Sequence, residues 1–340
     1  MNRLMTERNM MPLLQDASGR IITSLRVSLT DRCNLRCRYC MPETGVKFVE
    51  HAEILRYEEL ARLLNVAARR GVSKIRVTGG EPLARKGAVE FIAKIPRIQG
   101  IQTVTLTTNG VLLAPFAAPL RRAGLSYLNV SLDTLDPRKF EKITRVPAFD
   151  AVLRGIRAAK EAGFSTVKVN VVAMRGFNDD ELFDFADFAH EYDVIVRFIE
   201  YMPFHGNGWQ PNGFVPSDEL QARLATRFAL RPAREEPSAA AKIFDIPGRR
   251  GKIGFISAVS HNFCAECNRL RLTADGFLRP CLHGAAEIDV KRALRRGASD
   301  DELTALFQEA ADRKPAAHRD FFAPPAPEIA ADREMVNIGG

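Results

Sequence analysis

The stretch Leu25-Arg-Val-Ser-Leu-Thr-Asp-Arg-Cys-Asn-Leu-Arg-Cys-Arg-Tyr-Cys40 joins a short apolar run to three closely spaced thiols. Leu25–Leu29 reads as a strand. Cys33, Cys37 and Cys40 follow it in CxxxCxxC spacing, so one loop can turn all three thiols toward one metal group. In an α/β barrel the loops at the C-terminal ends of the strands carry the chemistry, and this loop leaves such an end. Three thiolates are one short of the four that close a structural zinc site or saturate a [4Fe–4S] cluster. A cubane held by three keeps one iron open to a ligand. A zinc half-site or a chance spacing is the other reading of the same residues.

Working outward, the strand pattern recurs. Lys74–Thr78, Val104–Thr108, Tyr127–Leu132, Val167–Val172 and Val194–Ile199 read as five further strands. Helical stretches lie between them. Tyr57–Arg70 ends at Gly71 and Phe149–Ala162 at Gly163, both C-terminal helix signals. Asp179–Tyr192 opens on acidic residues, as the helix dipole favours. Six strand–helix units imply a parallel sheet, either a barrel short of the usual eight units or a doubly wound open sheet. Near residue 210 the pattern changes. The segment Trp209–Leu220 is turn-rich, with Ser217 or Asp218 as the expected cap of a following helix. Arg231–Ala241 reads as an exposed connection, Lys252–Ile256 as a strand, and the Ala/Pro-rich Pro315–Pro327 as irregular.

A chain of 340 residues holds one large domain or two moderate ones. With 46% hydrophobic and 26% charged residues it is excluded from the disordered, collagen-like and disulfide-dense classes. No run approaches the ~18 consecutive apolar residues of a membrane span. Met1–Arg20 lacks the apolar core of a secretion signal, and the expected location is the cytoplasm. Lys+Arg 49 against Asp+Glu 41 leaves +8, which favours anionic partners. No Lys/Arg block of the kind found in nucleic-acid arms is present, and a merely basic soluble protein is the bland alternative.

The six cysteines form two groups of three far apart in sequence. The second is Cys264-Ala-Glu-Cys267, then thirteen residues, then Cys281. Alternation over Arg269–Thr273 and the Asp275-Gly276 turn predict a hairpin. A three-residue loop at Ala274–Gly276 sets Thr273 against Phe277 and Cys281 against Arg269, which returns Cys281 to Cys267. A zinc site completed by His261 or His283 is the alternative. Basic residues sit on the predicted strands: Arg26, Lys74, Arg76, Lys168 and Arg197, with Arg269 and Arg271 on one hairpin face. A cation facing a packed core is costly unless paired. These residues therefore face either solvent or an anionic ligand.

Val77-Thr-Gly-Gly-Glu-Pro82, in register with CxxxCxxC, resembles the radical S-adenosylmethionine superfamily. The later CxxC-x13-C narrows the resemblance to the GTP 3′,8-cyclase family of molybdenum cofactor biosynthesis, from Leu25 to the terminal Asn-Ile-Gly-Gly340. The resemblance implies an α/β fold: a partial (β/α)6 TIM-like barrel over residues 1–230, closed at its open side by a C-terminal α+β segment over 231–340. It implies two [4Fe–4S] clusters. The first, on Cys33, Cys37 and Cys40, chelates S-adenosylmethionine and cleaves it to a 5′-deoxyadenosyl radical, with Tyr39, Gly80, Ser131 and Met202 contacting this cofactor. The second, on Cys264, Cys267 and Cys281, holds the guanine of GTP. Arg26, Lys74, Arg76, Thr107, Lys168, Arg197, Arg269, Leu270 and Arg271 fall on GTP-contact positions, and Gly339 and Gly340 on a tail that enters the active site.

The implied reaction abstracts the 3′ hydrogen of GTP and closes the ribose onto C8, giving 3′,8-cyclo-7,8-dihydro-GTP. A flavodoxin- or ferredoxin-like electron donor and cyclic pyranopterin monophosphate synthase as the next enzyme are the implied partners. No nucleic acid or membrane partner is expected, and a homodimer is allowed. Two rivals are a peptide-modifying radical S-adenosylmethionine maturase with an auxiliary cluster and a zinc-dependent RNA-binding protein. The first usually carries more auxiliary cysteines, and the second leaves GGEP without a role.

Overall fold

Residues 12–204, 207–233, 240–261, 263–317 and 333–339 are described by a computed structural model of the chain. The strands are β1 Ser24–Ser28, β2 Lys74–Thr78, β3 Thr103–Thr108, β4 Tyr127–Ser131, β5 Val167–Ala173, β6 Ile195–Glu200, β7 Arg231–Pro232, β8 Lys242–Asp245, β9 Lys252–Ile256, β10 Arg269–Leu272, β11 Phe277–Arg279 and β12 Ile288–Asp289. The α-helices are α1 Tyr57–Arg69, α2 Ala88–Ile92, α3 Leu113–Arg122, α4 Pro137–Thr144, α5 Phe149–Glu161, α6 Leu182–Tyr192, α7 Ser217–Ala225, α8 Val290–Arg295, α9 Asp300–Asp312 and α10 Met335–Ile338.

All strands join one sheet in the order β12-β11-β10-β1-β2-β3-β4-β5-β6-β9-β8-β7. Strands β1 to β6 are parallel neighbours in chain order, the six β/α units expected from the sequence. The C-terminal segment does not close the sheet by pairing its two edges. It lengthens both: β9 adds parallel to β6, and β10 adds parallel to β1. Eight adjacent parallel strands result, trimmed by antiparallel β8 and β7 at one edge and β11 and β12 at the other.

A parallel sheet covered on both faces reads as continuous apolar runs. Here the strands alternate instead. Leu25, Val27, Ile75, Val77, Leu106, Leu128, Val130, Val169, Val196, Ile253, Leu270 and Leu272 are buried in the core. The register then sets Arg26 beside Arg76, Arg76 beside Thr105, Thr105 beside Tyr127, Asn129 beside Lys168 and Asn170 beside Arg197. Side chains in a strand alternate between faces, so these polar residues share the face opposite the core.

Three local expectations differ in the structure. Helix α6 starts at Leu182 rather than Asp179, because the Asp179 carboxylate instead closes a turn by accepting from the Gly176 amide at 2.8 Å. Neither Ser217 nor Asp218 caps α7. Pro216 is the capping residue, the Glu200 carboxylate takes the Ser217 amide at 2.8 Å, and the Ser217 hydroxyl is engaged by Ser257. The connection over 231–241 begins in strand and leads into β8, since Arg231–Pro232 pairs with Phe244–Asp245. Residues 234–239, most of Met1–Leu14, the tail beyond residue 317 up to 332, and Gly340 lie outside the described residues. Among the described residues no helix is long and apolar enough to cross a membrane.

Candidate active site

The two cysteine groups lie at opposite ends of the polar face. Cys33, Cys37 and Cys40 follow β1, at the C-terminal end of the parallel strands. Cys264 and Cys267 precede β10, which runs parallel to β1, and so sit at the N-terminal end. Cys281 follows β11, and the pairings Arg271–Arg279 and Leu272–Leu278 return it beside β10's start, as the hairpin reading expected. A five-residue strand spans about 16 Å at ~3.3 Å per residue, which sets the scale of the separation.

The first group is built by contacts between strand ends. Gly80 packs so tightly on the cysteine loop that a Cβ there would lie 2.5 Å from the Arg32 carbonyl oxygen and 2.8 Å from that of Asp31. Gly79 adopts φ +150° and would likewise meet the Thr30 carbonyl at 2.6 Å. Glycine is required by this approach. The Gly80 amide donates to Thr30 O at 2.7 Å and the Glu81 amide to Arg32 O at 2.8 Å. Glu81 is fully buried and takes the Leu83 amide (2.9 Å), the Thr108 hydroxyl (2.9 Å) and the Asn109 amide (2.7 Å). Burial still outweighs these donors and raises its carboxyl to about 7. Tyr39, within the loop, donates its hydroxyl to Asp133 at 2.7 Å, and Asp133 also takes the Val172 amide. Burial raises Asp133 to about 6.

The three thiols sit close enough to affect one another. Burial pushes the Cys37 thiol well up, reinforced by Cys40, Asp133 and Cys33. Cys40 is raised to about 12 by burial, then by Cys33, Glu334 and Asp133. All six cysteines are unbridged. Half-buried, unbridged thiols whose ionised forms repel one another gain most from a cation that takes them as thiolates. The donor set and the glycine cradle thus fit an iron–sulfur cluster with a ligand on its open side.

The other end has the opposite character. Burial opposes ionisation of Cys267, but Arg269 and Lys314 overcome it and bring the thiol down to about 6. Arg271 lies within electrostatic reach of both Cys281 and Cys267. Arg20 donates to the Cys264 carbonyl at 2.6 Å, and Lys314 donates to Arg269 O and Pro280 O, each at 2.9 Å. The histidines of the zinc alternative are engaged elsewhere: His261 pairs with Asp218 at 2.7 Å, and His283 stacks on Phe204.

Between the two ends the polar face is a field of cations. Arg26 is driven well below its ordinary range by burial, then by Arg271, Arg76 and Arg269. Arg197 and Arg271 each fall to about 9, burial being the largest cause. Burial also lowers Lys168 to about 8, against the pull of Tyr127 and with the push of Arg197, Arg76 and Lys74. Tyr127 is the hub of this group: Lys168 Nζ stands 3.9 Å and Lys74 Nζ 5.6 Å from its ring centre. Burial raises its phenol, but Arg76, Lys168 and Lys74 prevail and lower it to about 8. Arg197 is braced by Asn129 and Asn170, at 2.6 Å each. Mutually repelling buried cations favour an anion among them.

The structure brings Arg26, Arg76, Lys74, Lys168, Arg197, Arg269 and Arg271 together. Thr107, on β3, shares the face of Thr105, and Ser131 ends β4. Met202 follows β6, its carbonyl held by Asn207 at 2.9 Å. Leu270 is different: it is fully buried on the opposite face of β10, in the hydrophobic core, so only its backbone lies near the cations. Gly339 is inside the site. Arg271 donates to its carbonyl at 2.9 Å, and a Cβ there would lie 2.8 Å from that of Ser28, the last residue of β1. The tail is anchored by Arg333, which bonds Asp275 at 2.8 Å and Glu287 at 2.7 Å. Sequence reading missed Tyr127, Asn129, Asn170, Asp133, Asn109 and Arg333. The first three were detectable as polar positions alternating with apolar ones on β4 and β5; Arg333 carries no local signal.

Residues 27–189 match the Radical SAM superfamily, and residues 194–320 match Molybdenum Cofactor Synthesis C. The GTP 3′,8-cyclase of Moorella thermoacetica is 48% identical over 306 residues, covering 90% of this chain and 95% of that protein. The GTP 3′,8-cyclase of Thermodesulfovibrio yellowstonii is 46% identical over 329 residues, covering 96% of this chain and all of that protein. The crystal structure of Streptococcus suis SuiB bound to S-adenosylmethionine superposes with a TM-score of 0.62 at 16% identity, covering 80% of this chain and 64% of that one. At that identity the likeness is one of fold alone. With relatives 46–48% identical over 90–96% of its length, the chain belongs to the GTP 3′,8-cyclase family of radical S-adenosylmethionine enzymes.

Proposed function

We propose that this chain cyclises GTP to 3′,8-cyclo-7,8-dihydro-GTP, the entry step to the molybdenum cofactor. The observation that carries the reading is the cationic face set between two three-thiol ends. Cys33, Cys37 and Cys40 would hold the first [4Fe–4S] cluster, and Cys264, Cys267 and Cys281 a second. When bound, the first cluster supplies the electron that cleaves S-adenosylmethionine into methionine and a hydrogen-abstracting radical. The chain's own residues do the rest. Gly79 and Gly80 bring backbone close to the cofactor's methionine end, with Tyr39, Ser131 and Met202 along its length. Arg26, Lys74, Arg76, Lys168, Arg197, Arg269 and Arg271, with Thr107 and the Leu270 backbone, hold the triphosphate and ribose. Such fixed contacts place the 3′ hydrogen, and a misplacement of about 1 Å costs roughly a hundred-fold. Gly339 lies in the same space through its Arg271 bond, and Gly340 would act with it on the substrate.

The finer reading continues from this site. Residues 1–230 form the barrel unit and 231–340 the auxiliary-cluster unit. The protein works in the cytoplasm with a flavodoxin- or ferredoxin-like donor, hands its product to cyclic pyranopterin monophosphate synthase, and is able to form a homodimer. Anaerobic turnover with GTP, S-adenosylmethionine and a chemical reductant, with product identification, tests the reading. Formation of 5′-deoxyadenosine and the cyclised nucleotide is expected; an unaltered GTP pool in iron-replete enzyme would overturn it.

A further inference from the structure

Asn109 joins the end of β3 to the first thiol of the cysteine loop. Its Nδ2 stands 3.6 Å from Cys33 Sγ and 2.8 Å from Asn34 Oδ1. The far end of the amide settles its orientation, because the Val111 amide donates to Asn109 Oδ1 at 3.1 Å, which only the oxygen can accept. The N–H end therefore faces the sulfur. The backbone below it is fixed as well: the Asn109 amide donates to Glu81 at 2.7 Å, and the same carboxylate holds Thr108 and Leu83. The Leu35 amide is a second donor to Cys33 Sγ, at 3.4 Å. Around this end stand Glu81, Asp133 and Glu334, each within electrostatic reach of one of the loop's thiols. Their charge disfavours adding an electron to anything the thiols bind.

We propose that Asn109 acts through Cys33 as a positioning residue that sets the one-electron reduction equilibrium of the first cluster, its Nδ2–H donor offsetting the surrounding carboxylates. The proposal rests on the reading that Cys33, Cys37 and Cys40 hold that cluster. Hydrogen bonds to ligand sulfurs are among the determinants of iron–sulfur potentials. Reduction adds one negative charge to the cluster, and an N–H aimed at a ligand sulfur stabilises the reduced form more than the oxidised one. The donor therefore raises the potential, and its loss makes reduction harder. Val111 and Glu81 hold the amide in place, so the donor is present before the cofactor binds.

The test is an anaerobic redox titration of the full holoenzyme with titanium(III) citrate, followed by electron paramagnetic resonance. The signal used is the one that changes when S-adenosylmethionine is added, which isolates the first cluster. In Asn109→Leu the reduced-to-oxidised ratio at a fixed potential should fall about tenfold, a midpoint about 59 mV lower for one electron. Asn109→Asp keeps the oxygen that accepts from Val111 but turns a carboxylate toward the sulfur, and its midpoint should fall further. Should Asn109→Leu not retain iron, Asn109→Ala, which removes the donor without adding charge, decides in its place. Midpoints equal to wild type in variants with full iron would overturn the proposal. Cys33→Ala separates the two possible failures. A cofactor-responsive signal that survives in Cys33→Ala sinks the cluster assignment itself. A signal lost in Cys33→Ala, beside unchanged Asn109 midpoints, sinks only the role of Asn109.

Discussion

The two ends of the polar face have the same donors and opposite surroundings. At the C-terminal end, Cys33, Cys37 and Cys40 are pushed up by burial, by one another, and by Glu81, Asp133 and Glu334. At the N-terminal end, Arg269 and Lys314 pull Cys267 down to about 6. An acid-lined end suits a ligand that carries a sulfonium and an ammonium group. An arginine-lined end suits one that carries a triphosphate. Under the proposed function, a cluster held by three thiols at each end would keep an open coordination position, and the side chains around them would sort the ligands by charge. The cysteine spacing alone does not show which end takes which ligand.

Breaking one end at a time should give the largest effects. Cys37→Ala should abolish 5′-deoxyadenosine formation while the second cluster remains. Cys281→Ala should abolish GTP conversion and lower iron by about half, as one of two such clusters is lost. Iron and 5′-deoxyadenosine assays on both variants decide the point: loss of 5′-deoxyadenosine formation to the same extent in both would collapse the distinction between the ends.

Removal of Gly339 and Gly340 should leave iron content unchanged and slow single-turnover product formation by roughly a hundred-fold, the scale of a misplacement of about 1 Å. The tail's anchors, Arg333 and the buried Val336 and Ile338, remain in that variant. Full-rate product formation would show that the tail takes no part in the reaction.

Arg271 serves both the tail and the cationic face. Losing its charge-assisted bonds costs about 1.5–3 kcal/mol, or roughly ten- to a hundred-fold in GTP affinity by calorimetry. Arg271→Lys should rescue only part, because a single ammonium lacks the guanidinium fork. Affinity unchanged in Arg271→Ala would remove the N-terminal end from substrate binding.

The smallest expected effect is on pH dependence. Lys168 is protonated and Tyr127 neutral below about 8. As pH rises through that value the face loses a positive charge and gains a negative one, so GTP affinity should fall, by about fivefold between pH 7 and 9, the equivalent of about 1 kcal/mol. A bound triphosphate favours the protonated forms and moves both transitions upward. Tyr127→Phe removes one of the two ionisations and should flatten the fall. An identical profile in that variant would show that the phenol does not titrate there.

Much of the fold was legible because its signals are local. β2 and β9 have the bounds read from their alternation, and α1 and α5 stop one residue before the expected ends. The misreadings arise where a group found a different partner from the expected one. Glu200 took the amide at the start of α7, where Ser217 was the expected cap, and Asp179 closed a turn instead of opening α6. Asn109 and Tyr127 carried no motif, since their roles depend on Cys33 and Lys168, which are distant in the chain.

The sequence by itself determined the thiol groups, the glycine pair before Glu81, the period-two strands and the excess of cations, because composition and spacing are properties of neighbouring residues. Only the tertiary structure decided that β9 and β10 extend opposite edges of the sheet, that the two cysteine groups lie at opposite ends of one face, and that Leu270 turns away from it. The physical reason is strand pairing. Once β10 lies parallel to β1, the residues before it are placed at the end opposite the loop after β1. The alternation of side chains then sends Arg269 and Arg271 to the polar face and Leu270 to the core.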